Sequence, residues 1–239
     1  MTSSVAASPY RILIVTAVVP EAKVLVKALR LRKLPGELLA WAKEDVALVV
    51  VGVRAKRLNE LLKYPLMASA RGVVLAGVAG GLASELHLGA VVIDGKGVPG
   101  SVRELGVRMG LIHTSATIAA TPQEKGRLLA ETGCLAVDME TAIVRAFAGR
   151  RGAAFLSVRA ISDTANEKLD PALLGLVDEA GRPLVGKAMG MILREPKKLG
   201  EMLRMRRAMG VAMRSLKEVV GAIIASNWPG KATGRPGGG

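Results

Sequence analysis

Apolar residues fall along this chain in two rhythms. Short apolar runs cover Ile12 to Val15, Val46 to Val53, Val73 to Leu75 and Ala90 to Asp94, and Leu111 to Thr114, Leu135 to Val137 and Phe155 to Ile161 also read as strands. Several of them lack an alternation of period two, which predicts strands buried on both faces, as in a sheet covered by helices. Between them the signals are helical. Pro20 suits the first turn of a helix over Glu21 to Leu31. Thr121-Pro122 opens a second helix to Thr132, with Gln123 and Glu124 in its first turn, and a third is expected from Met139 to Arg150. Strands alternating with helices predict an α/β fold: one domain with a central mixed, mainly parallel sheet flanked by helices.

The C-terminal part has a different pattern. Leu184 to Leu193 and Lys198 to Ile224 both read as helices, with Pro196 at the break. In the second, Leu199, Met202, Leu203, Met209, Met213, Leu216, Val220 and Ile224 recur at helical spacing. The expectation is a helix packed on the sheet with a basic outer face; the alternative is a helix lying on a membrane surface. Beyond Trp228, Gly and Pro dominate. The domain boundaries expected are therefore a flexible N-terminus over 1–10, the α/β domain with its basic helical tail over 11–226, and a disordered Gly/Pro tail over 227–239.

Composition narrows the picture. At 239 residues the chain fits one large domain. With aromatics at 3%, the core must come from Ala, Val, Leu, Ile and Met. Cys134 is the lone cysteine, which excludes an internal disulfide and a Cys-based zinc site, and points to a reducing, cytoplasmic setting. His87 and His113 have no metal-ligand spacing and are assigned to structure, so no metal is expected. The net charge of +14 calls for an anionic partner or a solvated basic surface. Much of that charge lies between Arg194 and Lys217, a segment without stacking aromatics. That argues against nucleic acid and leaves peripheral membrane contact open.

In open α/β sheets ligands bind outside the carboxyl ends of the strands. Four features fall there: Glu21 after the first strand, an expected glycine turn from Gly77 to Gly81, the pair Asp138 and Glu140, and Ser162-Asp163 after Ile161. Each alone is explained by helix capping, the helix dipole or close packing. Their convergence on one crevice is what suggests a site.

Two of these stretches carry a resemblance. Ala136-Val137-Asp138-Met139-Glu140-Thr141-Ala142 and Val158-Arg159-Ala160-Ile161-Ser162-Asp163-Thr164-Ala165 resemble the purine nucleoside phosphorylase superfamily, and especially its methylthioadenosine/S-adenosylhomocysteine nucleosidases. Gly77 to Leu82 resembles that family's Ala-Gly-Gly turn, and Glu21 falls where the nucleosidases carry an acid. The stretches 119–125, 132–140, 177–183 and 193–199 are similar to a narrower branch, the hopanoid-associated phosphorylases.

The resemblance implies cleavage of the bond between a purine, expected to be adenine, and ribose. The substrate would be an adenine nucleoside or an adenosyl lipid such as adenosylhopane. Asp163 would protonate the leaving base with Ser162 orienting it, and Glu140 would hold the ribose hydroxyls. Met139 would press on sugar or base, with Asp138 beside it. Glu21, with Arg159 near it, would position the nucleophile. Val78, Ala79 and Gly80 would line the sugar side. Val78 stands where nucleosidases often have serine, and Ile118 stands where they stack an aromatic ring.

A carboxylate at Glu21 would repel phosphate, which favours water as nucleophile. Phosphate would be a co-substrate only if Arg54, Lys56 and Arg57 form an anion site, and no other cofactor is expected. The family is usually oligomeric, so a homo-oligomer is expected by resemblance. The rival is a non-catalytic protein on the same fold that binds lipid or nucleic acid.

Overall fold

A computed structural model describes residues 10–36, 38–170, 178, 182, 184–195 and 198–230. The strands are β1 (Ile12–Thr16), β2 (Arg32–Lys33), β3 (Ala40–Lys43), β4 (Val46–Val50), β5 (Gly72–Gly81), β6 (Val91–Gly95), β7 (Arg108–Met109), β8 (Ile112–Thr114), β9 (Ala136–Asp138) and β10 (Ala154–Asp163). The helices are α1 (Val19–Leu29), α2 (Pro65–Ala68), α3 (Gly100–Arg103), α4 (Pro122–Thr132), α5 (Thr141–Gly149), α6 (Val185–Arg194) and α7 (Lys198–Ala225).

The sheet runs β2-β3-β4-β1-β5-β10-β6-β7, with β9 and then β8 joined to the end of β5. Its centre, β4-β1-β5-β10, is parallel. The pairs β2-β3, β3-β4, β6-β10 and β5-β9 are antiparallel. The short antiparallel strands β2 and β3 lie outside the sequence expectations, since Arg32–Lys33 and Ala40–Lys43 have no extended apolar run.

The unbroken apolar runs are explained by burial on both sides. In β1, Ile12 and Ile14 pack into the core under α1 and α7, while Leu13 and Val15 pack into the core shared with α5. The long α7 lies against the sheet through Ala212, Met213, Leu216, Val219, Val220 and Ile223. Its C-terminal two-thirds is thus a core helix, as the apolar spacing predicts.

Two sequence expectations need correction. Gly77 to Gly81 forms no turn but continues β5, paired with β10 on one side and, at Gly80 and Gly81, with β9 on the other. The expected tail also begins later than 227. Trp228 is buried at 5% exposure beneath Gly72. Arg11 donates to the carbonyls of Trp228 (2.7 Å) and Ile224 (3.2 Å), tying the end of α7 to the start of β1. Residues 1–9 and 231–239, parts of the expected flexible ends, lie outside the described residues, as does most of 177–183.

Candidate active site

The parallel strands β1, β5 and β10 all end on one side of the sheet, and each delivers part of the site. Past β1, Glu21 lies in the first turn of α1, 3% exposed. Its Oε1 accepts from the Val78 amide at 3.0 Å, and its Oε2 from the amides of Ala17 and Val18 at 3.2 Å. Burial raises its carboxyl to about 7, against the lowering pull of Arg159 and these amides.

The glycines of β5 make room for charge. A Cβ on Gly77 would lie 2.5 Å from Glu21 Oε1 and would strike Arg159 Nη1 as well. On Gly80 it would crowd Asp163 Oδ2 at 3.1 Å. Glycine is therefore required there for its missing side chain.

Behind the cavity wall sits a buried charge network. Arg159, 1% exposed, donates from Nε to Asp138 Oδ2 (2.8 Å) and from Nη2 to Glu140 Oε2 (3.1 Å). Asp138 also accepts from the amides of Glu140 and Thr141 and from the hydroxyls of Thr141 and Thr114. Burial would push the Asp138 carboxyl up, but Arg159 and the Thr141 hydrogen bonds outweigh it and hold it below the usual range. Glu140 goes the other way. Burial, aided by the Asp138 charge, raises it despite Arg159. Its Oε1 accepts from the Arg54 amide at 3.0 Å, which is aimed by a left-handed backbone at Arg54 (φ 56°).

At the end of β10 the register with β5 shifts between Ile161 and Asp163, so Ser162 is an extra residue. Such a bulge redirects side chains. Ser162 Oγ donates to Asp163 Oδ1 at 2.8 Å. On the other oxygen lies a partner absent from the sequence expectations: Lys125 Nζ, fully buried, donates to Asp163 Oδ2 at 2.6 Å.

Glu21, Val78, Ala79, Gly80, Ile118, Asp138, Met139, Glu140, Ser162 and Asp163 line a single cavity of about 230 Å³, joined by Val53, Thr117 and Leu169. Arg159 does not line it. It lies beside Glu21 as expected, with Nη1 and Glu21 Oε1 both over Gly77, while its Nε and Nη2 bind Asp138 and Glu140 as a buried counter-ion. Asp138 touches the cavity, but Arg159, two hydroxyls and two amides occupy its carboxylate, so its expected substrate contact is replaced by an organising role. The Val78 amide is likewise engaged by Glu21.

Arg54 Nη2 donates to the Ala116 carbonyl at 2.6 Å, Arg57 pairs with Glu60 at 2.8 Å, and neither they nor Lys56 line the cavity. Among the described residues, no group of three or more His, Cys, Asp or Glu is placed to hold a metal ion.

Comparison with known proteins bears on the fold. A sequence model described as the phosphorylase superfamily matches residues 100–194. The fold resembles the 5′-methylthioadenosine/S-adenosylhomocysteine nucleosidase of Helicobacter pylori, with a TM-score of 0.63 at 14% identity over 91% of this chain and 99% of that one. It resembles futalosine hydrolase from the same species (TM-score 0.65, 13% identity, 90% and 99% covered). The S-adenosylhomocysteine nucleosidase of Streptococcus pyogenes gives a TM-score of 0.63 at 18% identity, with 94% and 99% covered. No curated protein matches in sequence. Residues 100–194 thus match the phosphorylase superfamily, and the chain as a whole is similar to the nucleosidases in fold. At these identities the solved structures share its fold, and the superfamily segment includes α4, β9, α5 and β10, which carry Lys125, Asp138, Glu140 and Asp163.

The signal that would have found Lys125 is local. It shares one face of α4 with Leu128 and Leu129, one turn on, and both pack against the small core around Leu82 and Val137. A lysine in line with core-facing leucines needs a buried acceptor.

Proposed function

We propose that the protein cleaves the N-glycosidic bond of an adenine nucleoside or adenosyl compound with water, releasing free base. The observation that carries this reading is that Glu21, Glu140 and Asp163 open on one cavity from three different electrostatic settings. Breaking the bond leaves positive charge on the ribose and an electron pair on the base. Asp163, held by Ser162, supplies a proton to the base. Glu140 accepts the ribose hydroxyls and faces the developing positive charge. Glu21, once ionised, takes a proton from the attacking water. Ile118 and Met139 supply apolar wall.

The solved neighbours support the substrate class. A Helicobacter pylori nucleosidase variant holds 5′-methylthioadenosine in its active site. The narrower reading, an adenosyl lipid such as adenosylhopane, rests on the resemblance of 119–125, 132–140, 177–183 and 193–199 to the hopanoid-associated branch. Peripheral membrane contact belongs with it. Leu199 and Leu203 are exposed on α7 near Arg204, Arg206 and Arg207. Arg204 and Met205 also border a cavity of about 400 Å³ that shares Ser162 and Asp163 with the first. We take the working form to be a homo-oligomer, on the family resemblance alone.

The test is an assay of free base from a panel of nucleosides, with and without phosphate. Phosphate-independent release of adenine supports the reading. Release that requires phosphate and yields a sugar 1-phosphate makes the protein a phosphorylase. No release, with salt-sensitive binding to anionic vesicles or nucleic acid, makes it a binding protein on this fold.

A further inference from the structure

Lys125 is the buried residue of α4, and its side chain is completely enclosed. It lies one turn into that helix, four residues after the Thr121 N-cap, where the helix dipole opposes a cation. Desolvation opposes it too. An apolar residue of similar volume would fill the space at lower cost, so stability alone is a weak reason for a lysine here.

The geometry shows what the ammonium does instead. It donates to Asp163 Oδ2 (2.6 Å), the Thr164 carbonyl (2.7 Å) and the Glu167 carbonyl (3.2 Å). Three donors meet three acceptors, so none remains for a ligand, and Lys125 does not line the cavity. Glu167 in turn accepts from the Thr164 amide at 2.8 Å, which closes the loop after β10 on itself. With Ser162 on Oδ1 and Lys125 on Oδ2, the Asp163 carboxyl cannot rotate without breaking a charge-assisted bond.

We propose that Lys125 is the positioning residue of the proton donor. Through its three bonds it clamps the Asp163 carboxyl and residues 163–167 in the pose that faces the leaving base. The proposal rests on the N-glycosidic reading above. The bond that breaks joins the sugar to a base nitrogen, and its electron pair goes to the base. Asp163, carrying the proton in the substrate complex, passes it to the base and becomes a carboxylate that stays bonded to Lys125, which acts only by holding it.

The experiment compares two substrates that differ in their need for that proton. One is the best purine nucleoside of the panel. The other is 4-nitrophenyl β-riboside, whose phenolate leaves without protonation. In Lys125→Met, kcat for the purine nucleoside is expected to fall about 10- to 100-fold, the cost of a misplaced catalytic group. KM should stay within about threefold, and kcat for the nitrophenyl riboside within about threefold. Asp163→Asn should show the same selectivity. The double variant Lys125→Met/Asp163→Asn removes the ammonium together with the carboxyl it holds, so no buried cation is left without its partner, and it should be no slower on the purine nucleoside than Asp163→Asn alone.

Equal losses on both substrates would make Lys125 purely structural and overturn the proposal. So would an unchanged purine rate in Lys125→Met, or a double variant far slower than Asp163→Asn. A wild-type protein that releases no base from any nucleoside overturns the N-glycosidic reading and this proposal with it. An active wild type beside an indifferent Lys125→Met overturns this proposal alone.

Discussion

Glu21 and Asp163 are both carboxyls on one cavity, and their surroundings separate their roles. Glu21 accepts hydrogen bonds from three amides with Arg159 close by, and burial raises it to about 7 against that charge. As a base it must be ionised, so kcat/KM is expected to rise as pH increases through about 7. In Glu21→Gln this limb should vanish along with most of the rate, as a pH series would show. The same shift bears on stability. A carboxyl raised in the folded state stabilises it fully below about pH 4.5, and that contribution is lost as pH climbs through about 7. Denaturation midpoints of wild type and Glu21→Gln across that window measure it; parallel curves would refute it. Asp163 has Lys125 and Ser162 instead. Asp163→Asn should lower kcat on a purine nucleoside by about 10²- to 10⁴-fold, the usual range for a lost general acid.

At the scale of the element, β5 sets the geometry. Its last residues are extended backbone with almost no side chain, which lets Glu21 and Arg159 meet over Gly77 and Asp163 approach Gly80. Gly77→Ala would drive a methyl group into both charged side chains. Relief requires moving an Arg159 that is bonded to Asp138 and Glu140. Overpacking of this kind costs about 1–3 kcal/mol, and more where buried ion pairs must shift. Both the thermal midpoint and kcat are expected to fall, whereas Gly126→Ala on α4, where a Cβ meets nothing within 4 Å, should change neither appreciably. The bulge at Ser162 works on the neighbouring strand. The extra residue is what sends Ser162 Oγ toward Asp163.

At the scale of the whole molecule, the two ends of the domain are fastened together. Arg11 at the start of β1 also bonds Asp45 at 2.6 Å while holding the carbonyls of Ile224 and Trp228. The Trp228 ring fills the space that a side chain on Gly72 would take. Trp228→Ala is expected to cost about 3–5 kcal/mol, read as a lower denaturation midpoint, with the residual activity keeping its substrate preference. The first turns of α7 present Leu199 and Leu203 with arginines around them. Flotation with anionic liposomes, comparing the whole chain with Leu199→Glu/Leu203→Glu, tests membrane contact: equal flotation of both would remove these residues from it. Among the described residues no helix is long and apolar enough to cross a membrane.

What the sequence alone determined was local or periodic. Unbroken apolar runs marked β1 and β4 as strands buried on both faces, because residues on either side of the pleat must then be apolar. The Thr121-Pro122 start and Glu124 marked α4, because a cap is written within four residues. The stretches around Glu140 and Asp163 were legible as candidate site residues because each lies beside the end of a strand. Only the tertiary structure decided what each polar group faces. Gly77 to Gly81 read as a turn, since glycine permits turns, but they are glycines because Glu21, Arg159 and Asp163 approach from other elements. Arg159 was expected near Glu21 and lies there, but its bonds to Asp138 and Glu140, residues about twenty positions away, appear only when folding brings them near. Lys125 was written in the sequence on the apolar face of its helix, but its partner lies 38 residues on. A hydrogen bond depends on a few tenths of an ångström between groups, and no periodicity along the chain encodes that distance.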